Sequence, residues 1–149
     1  MSGFSSADFG EVAGRISVVI PDRLKHADVL GTPSERSGAF SAQRKHLVKI
    51  VDLPSKTLSV TLGGLSAAAA SGKHRHNYET IIYVLSGSGK TVIEDREVSW
   101  RQGDAIYIPV WAWHQHFCDP DSGECRYLAC ENAPLLQNLG GLALREEAP

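Results

Sequence analysis

Two stretches decide how this sequence is read: Gly72-Lys73-His74-Arg75-His76-Asn77-Tyr78-Glu79-Thr80 and Gly103-Asp104-Ala105-Ile106-Tyr107-Ile108-Pro109-Val110-Trp111-Ala112-Trp113-His114-Gln115-His116. Residues two apart in a β-strand face the same side, so His74 and His76 project together. His114 lies on a later run that antiparallel pairing can set beside the first, bringing in a third imidazole. His116 shares the face of His114 by the same alternation, and Arg75 turns away. Thr80 falls on the histidine side and Glu79 on the opposite one, unless a bulge re-aims it. Three neutral imidazoles on one face make a ligand set for one divalent transition metal. A His-x-His pair alone is a weaker signal, since most strand histidines are ordinary polar residues. His26 and His46 lack such spacing and are read as structural or exposed.

Outward from these stretches the chain is punctuated as an all-β protein. Short runs rich in branched and aromatic residues fall at Leu47–Val51, Thr57–Leu62, Glu79–Leu85, Thr91–Glu94, Glu97–Trp100, Ala105–Ile108, His114–Cys118 and Arg126–Cys130. Leu53-Pro54-Ser55, Gly63-Gly64, Ser71-Gly72, Ser86-Gly87-Ser88-Gly89 and Asp119-Pro120-Asp121-Ser122-Gly123 separate them as turns. With no confident long helix, this pattern predicts a closed barrel or double sheet over residues 43–149. Residues 1–42 read as an N-terminal arm, with one apolar run at Ile16–Ile20, then Pro21 and a helical turn over Asp22–Leu30. Such an arm packs across its own barrel or onto a neighbouring subunit, and a homodimer is expected. The apolar tail Leu135–Leu144 is expected to cover one end of the barrel.

A chain of 149 residues with 42% hydrophobic and 21% charged residues fits one globular domain. Its formal net charge of −2, with no basic cluster, argues against nucleic acid or an anionic membrane as partner and favours a small molecule. Met1–Gly10 contains no apolar run, so a cytoplasmic location is expected. Cys118, Cys125 and Cys130 are read as reduced thiols, with a Cys118–Cys125 bridge as the alternative. Gly87-Ser88-Gly89 precedes strand-like residues and is read as a hairpin turn rather than a phosphate loop.

The two opening stretches resemble the two sequence motifs of the cupins. The first has His-x-His, an acidic residue, then Ile81-Ile82-Tyr83-Val84-Leu85 ending in Ser86-Gly87-Ser88-Gly89. The second has a glycine, a proline six residues on, and a histidine five positions after the proline. The resemblance implies an all-β cupin double-stranded β-helix, a jelly-roll barrel, with metal ligation carried onto His74, His76 and His114. One departure bears on mechanism: the glutamate that many cupins use as a further ligand aligns with Thr80, not Glu79.

Pro109-x-Trp111-x-Trp113-His114-x-His116 is similar to a segment of the gentisate, salicylate and hydroxynaphthoate ring-cleaving dioxygenases, whose chains are typically two-cupin and more than twice this length. That likeness implies iron(II) at the site, with zinc, manganese and nickel as alternatives, and a dioxygenase acting on a small aromatic or enolisable oxygenated substrate. Three histidines without a carboxylate favour an anionic, chelating ligand. His116 is the candidate acid or base. Trp111, Trp113 and Tyr107 are candidate substrate contacts, with one tryptophan expected to line the cavity because Trp113 and His114 face opposite sides. The competing readings are a non-oxidative isomerase, lyase or hydrolase using the metal as Lewis acid, and a non-catalytic ligand-binding barrel.

Overall fold

The computed structural model describes residues 5–10, 14, 17–31 and 35–149. After a 3-10 turn at Ser6–Asp8, the described chain forms α1 (Glu35–Arg44), β1 (Leu47–Ile50), β2 (Ser59–Leu65), β3 (His74–His76), β4 (Thr80–Ser86) and β5 (Ser88–Ile93). There follow β6 (Arg96–Arg101), β7 (Ala105–Ile108), β8 (His114–Cys118), β9 (Cys125–Glu131), α2 (Ala133–Asn138) and β10 (Arg145–Glu147). The strands make two five-stranded sheets, ordered β1-β2-β9-β4-β7 and β10-β3-β8-β5-β6. Every pairing is antiparallel. All the strand runs read from the sequence are present, with shifted ends, in the expected all-β architecture.

Strand alternation sorts the side chains. On β4 the inward residues Thr80, Ile82 and Val84 are buried, while Ile81, Tyr83 and Leu85 are exposed on the outer face. The inward row then divides along its length. At one end stand polar residues, Thr61, Thr80, His114 and Glu131, which line a cavity. At the other stand Leu65, Val84, Cys118 and Cys125, which pack with Trp100, Ile106, Ile108 and Tyr127 as the apolar core. The core half supplies hydrophobic stabilisation, roughly 25 cal/mol per Å² of apolar surface removed from water. It thereby supports a polar half whose burial costs free energy unless its groups are hydrogen-bonded.

Several expectations change. Gly63-Gly64 is not a turn but lies inside β2, because a Cβ at Gly63 would collide with the Tyr127 ring and one at Gly64 with the Arg126 side chain. The Gly87 segment is not a hairpin: β4 pairs with β7 and β9, and β5 with β6 and β8, so the chain crosses between sheets there, with Gly87 at φ +83°. Residues 22–28 form no helical turn. Arg23 instead donates to both carboxylate oxygens of Asp52 at 2.9 and 2.7 Å, and the Asp52 N–H donates to His26 Nδ1 at 3.0 Å. Ile16 lies outside the described residues, and Val18, Val19 and Ile20 are exposed.

The helix α1 escapes a reading of the sequence because Glu-Arg-Ser-Gly-Ala-Phe-Ser-Ala-Gln-Arg carries no apolar stripe at helical spacing. Ser41 fixes it to β1, accepting from Val48 N–H at 2.8 Å and donating to Val48 C=O at 3.2 Å. The tail does not cap the barrel with apolar contacts either, since Leu135, Leu139, Leu142 and Leu144 are exposed. Among the described residues no helix is long and apolar enough to cross a membrane.

The expectation of three reduced thiols is also corrected. Cys118 at the end of β8 and Cys125 at the start of β9 form a disulfide with Cα atoms 6.1 Å apart. The loop between them turns back from one sheet to the other, a closure that the cysteine spacing does not announce. Cys130 is free and exposed. Iodoacetamide labelling of the unfolded, unreduced protein is therefore expected to add one label, at Cys130, and three after reduction, by intact mass. Three labels without reductant would show that the bridge is absent.

Candidate metal centre

His74 and His114 are direct cross-strand partners on β3 and β8, and His76 joins them two residues along β3. Their ring centroids lie 4.1 Å (His74–His114), 4.8 Å (His76–His114) and 5.7 Å (His74–His76) apart. One nitrogen from each falls within 4.8 Å of the others, so the three can hold a single metal ion.

Their tautomers follow from local bonds. Nδ1 of His74 lies 2.9 Å from Gly72 C=O, that of His76 2.9 Å from Tyr78 C=O, and that of His114 2.9 Å from Ala112 C=O. A carbonyl only accepts, so each Nδ1 carries the proton and each Nε2 keeps its lone pair for an ion. The Tyr78 ring, stacked on His76 at 4.1 Å and 2°, fixes the plane of that imidazole. Burial, first, and the neighbouring His114 charge, second, push His74 far below the usual histidine range. The same two causes bring His76 to about 4, and burial brings His114 to about 4. The donor set is thus neutral at physiological pH, as ligation by nitrogen requires. The donors fit a borderline divalent ion such as iron, zinc, manganese or nickel.

His116 is wired differently. Trp100 Nε1–H donates to Thr91 Oγ1 at 2.9 Å, and that hydroxyl lies 2.9 Å from His116 Nδ1. The indole takes one lone pair of the hydroxyl, and among the described residues the only acceptor for the hydroxyl proton is Nδ1, which assigns the His116 proton to Nε2. Burial, reinforced by the surrounding histidines, keeps this ring neutral. It lines the same cavity as the three histidines, with its centroid 5.6 Å from that of His114.

The cavity is narrow, with about 40 Å³ of accessible volume, far below the ~300–1,000 Å³ range of small-molecule sites, so a drug-sized ligand enters only if its walls move apart. Besides the histidines, its polar lining includes Arg44, Thr80, Tyr127, Glu131 and Arg145. Arg44 Nε, Arg145 Nη2 and the Tyr127 hydroxyl are buried without a hydrogen-bond partner. Each such group costs ~1–3 kcal/mol, which an acceptor on a ligand would offset. Burial, and after it the charge of Arg145, lowers the Arg44 guanidinium from its usual value. An incoming anion would relieve both effects.

Three of the residues that the sequence singles out lie elsewhere. Tyr107 is half exposed on the outer face of β7 and donates to Glu79 Oε1 at 3.1 Å. Glu79 is accordingly outside the barrel, where alternation puts it. Trp111 and Trp113 do not line the cavity, contrary to the expectation that one of them does; each lies 4.5 Å from the Arg75 guanidinium, on the outer side of β3. Trp111 sits in a turn at φ +63°, a left-handed conformation that residues with a side chain rarely adopt. Arg44, Arg145, Glu131 and His46 are the cavity residues that sequence reasoning misses. They belong to α1, β10, the end of β9 and the α1–β1 link, and no spacing rule connects those segments.

A family model described as Cupin domain matches residues 64–130. The chain is 33% identical over 92 residues to a 5-aminosalicylate 1,2-dioxygenase of a Comamonas species, covering 62% of this chain and 24% of that protein. It is 33% identical over 69 residues to a gentisate 1,2-dioxygenase of a Haloferax species, covering 45% and 19%. The fold superposes on salicylate 1,2-dioxygenase from Pseudaminobacter salicylatoxidans with a TM-score of 0.63 and 17% identity, over 68% of this chain and 30% of that one. The chain thus spans a quarter or less of the length of the first two relatives.

His74→Ala, His76→Ala and His114→Ala are each expected to lose most of the bound metal in elemental analysis, while Glu79→Ala retains it; metal retained by any histidine variant would refute the ligand set. A second expectation concerns the metal-free protein. Unfolded histidines take up protons from about pH 6.5, whereas folded His76 and His114 resist to about 4. The unfolded state therefore binds more protons between these values, and stability should fall as pH drops through that window. Urea midpoints at pH 7.5, 6 and 4.5 that stayed level would contradict it.

Proposed function

Because residues 64–130 match a family model described as Cupin domain, we propose that this protein is a metal-dependent dioxygenase, with iron(II) on His74, His76 and His114, acting on a small hydroxylated aromatic or enolisable acid. The observation that carries the reading is the pairing of two surfaces in one cavity: three convergent imidazole lone pairs, and two part-buried arginines that each keep one buried nitrogen unbonded, Arg145 being paired through Nε with Glu147. His74, His76 and His114 would hold the iron(II), which when bound would supply a centre for a chelating oxygen ligand and for dioxygen.

The chain's own residues supply binding and orientation. Arg44 and Arg145 offer N–H donors to a carboxylate, the strongest kind of hydrogen bond open to a part of the ligand that does not touch the metal. His116 presents Nε2–H, held in that tautomer by Thr91 and Trp100, and so acts as a donor to a ligand oxygen rather than as a base. Ile82, Ile108 and Ala129 give the cavity an apolar wall for a ring, which the cavity must widen to admit. The relatives, a 5-aminosalicylate and a gentisate dioxygenase, are enzymes of aromatic acids, which agrees with a cavity that combines an apolar wall with cationic groups.

The reading is tested by oxygen uptake after anaerobic iron(II) loading, with gentisate, salicylate, catechol and a β-diketone as substrates. Uptake with an aromatic acid is expected. Arg44→Gln and Arg145→Gln should raise KM for the acid by about 10- to 100-fold, the worth of one hydrogen bond to a charged group at ~1.5–3 kcal/mol. They should leave catechol, which has no carboxylate, nearly unaffected. Purified protein carrying zinc or nickel, with no uptake on any substrate after iron loading, would replace this reading with a non-oxidative one.

A further inference from the structure

Thr80 and Glu131 are cross-strand partners on β4 and β9, and Thr80 Oγ1–H donates to Glu131 Oε1 at 3.4 Å. Both side chains line the cavity that the histidines face. Thr80 is the position that aligns with the glutamate ligand of many cupins, so here the carboxylate sits one strand over from that place. The shift changes what it can do. Among the described residues the converging ligand set is His74, His76 and His114 alone, and Glu131 stands off from it. A carboxylate set back from the histidine face, within the same small cavity, is placed to meet a ligand.

We infer that Glu131 is the proton acceptor for the hydroxyl group of a phenolic or enolic ligand, an inference that rests on the reading given under Proposed function. On binding, the ligand O–H bond breaks and its electron pair stays on the ligand oxygen. The proton forms a new O–H bond on the Glu131 carboxylate. A phenol of ordinary pKa, about 10, keeps its proton in neutral water, so its binding as an anion needs an acceptor nearby.

The other basic groups of the cavity serve this role less well. His116 already accepts at Nδ1 and carries its proton on Nε2. His46, whose Nδ1 lies 2.8 Å from Arg44 C=O, has a free Nε2. Its protonation would add a third cation beside Arg44 and Arg145, and burial together with those two charges disfavours it. Glu131 becomes neutral on taking the proton. Arg44 from α1, Arg145 from β10, Tyr78 before β4 and Tyr127 on β9 are the charged and titratable groups that act on it or are acted on by it. Burial raises its carboxyl above the usual range, against the pull of the two arginines and the Thr80 bond, which makes it a stronger base than an exposed glutamate.

Zinc-loaded protein, which cannot turn over, allows the proton to be counted. Salicylate binding is measured by calorimetry at pH 7.5 in two buffers of different ionisation enthalpy. The wild type is expected to release no proton to the buffer, Glu131→Gln to release about one per salicylate bound, and His46→Gln to behave as the wild type. Release of one proton by the wild type overturns the inference, whether or not the variant folds, and so does an equal count in wild type and Glu131→Gln. Failure of the zinc-loaded wild type to bind salicylate, gentisate or catechol overturns it together with the functional reading. Binding with an unchanged count overturns the role of Glu131 alone.

Discussion

The metal face depends on where three protons go. An imidazole can bind an ion through Nε2 only if its Nδ1 proton is held on the other side of the ring. In this protein each of those protons is given to a backbone carbonyl two residues from its own histidine: Gly72, Tyr78 and Ala112. Such short-range bonds orient the rings through the path of β3 and β8 themselves, with little help from distant side chains. The cross-strand register of His74 with His114 then brings the two strands' lone pairs to a common point. Everything else in the cavity is arranged around a face set in this way, including the opposite tautomer of His116.

That arrangement is tenable because of the division within the barrel. The half near Cys118, Cys125, Leu65 and Val84 is an ordinary close-packed interior, tied across the sheets by the Cys118–Cys125 bridge. It leaves the other half free to keep polar groups that a uniform core would not tolerate. The unbonded Arg44 Nε, Arg145 Nη2 and Tyr127 hydroxyl belong to that polar half. Buried donors and acceptors without partners are rare in proteins. Three of them around one cavity mark a place completed by something other than the chain.

The parts of the site legible in the sequence are those that rest on short-range periodicity. A period of two places His74, His76 and Thr80 on one face and sends Glu79 and Arg75 to the other, and the structure follows that alternation in all five. The same rule pairs His116 with His114. It fails where side-chain position depends on a turn or on long-range packing. Closeness to His114 in sequence suggests that Trp111 and Trp113 stand near the cavity, but the turn after Pro109 swings them onto Arg75. Gly63-Gly64 looks like punctuation, yet its lack of side chains makes room for Tyr127 and Arg126 across the sheet. Arg44, Glu131 and Arg145 come from segments up to about a hundred residues apart, and only the folded register of β9, β10 and α1 reveals that they meet.

The cavity is therefore composite in origin. Its metal-facing histidines lie within residues 64–130, the span that the Cupin domain model matches, but His46, both arginines and Glu131 lie outside that span. The imidazole triad and the charged groups that share its cavity are thus written in different parts of the chain. Substitutions in α1 or in the last strand can change the charge that faces the imidazole triad while the triad stays untouched, and exchanging those flanks between related barrels would re-line the cavity without rebuilding its histidine face.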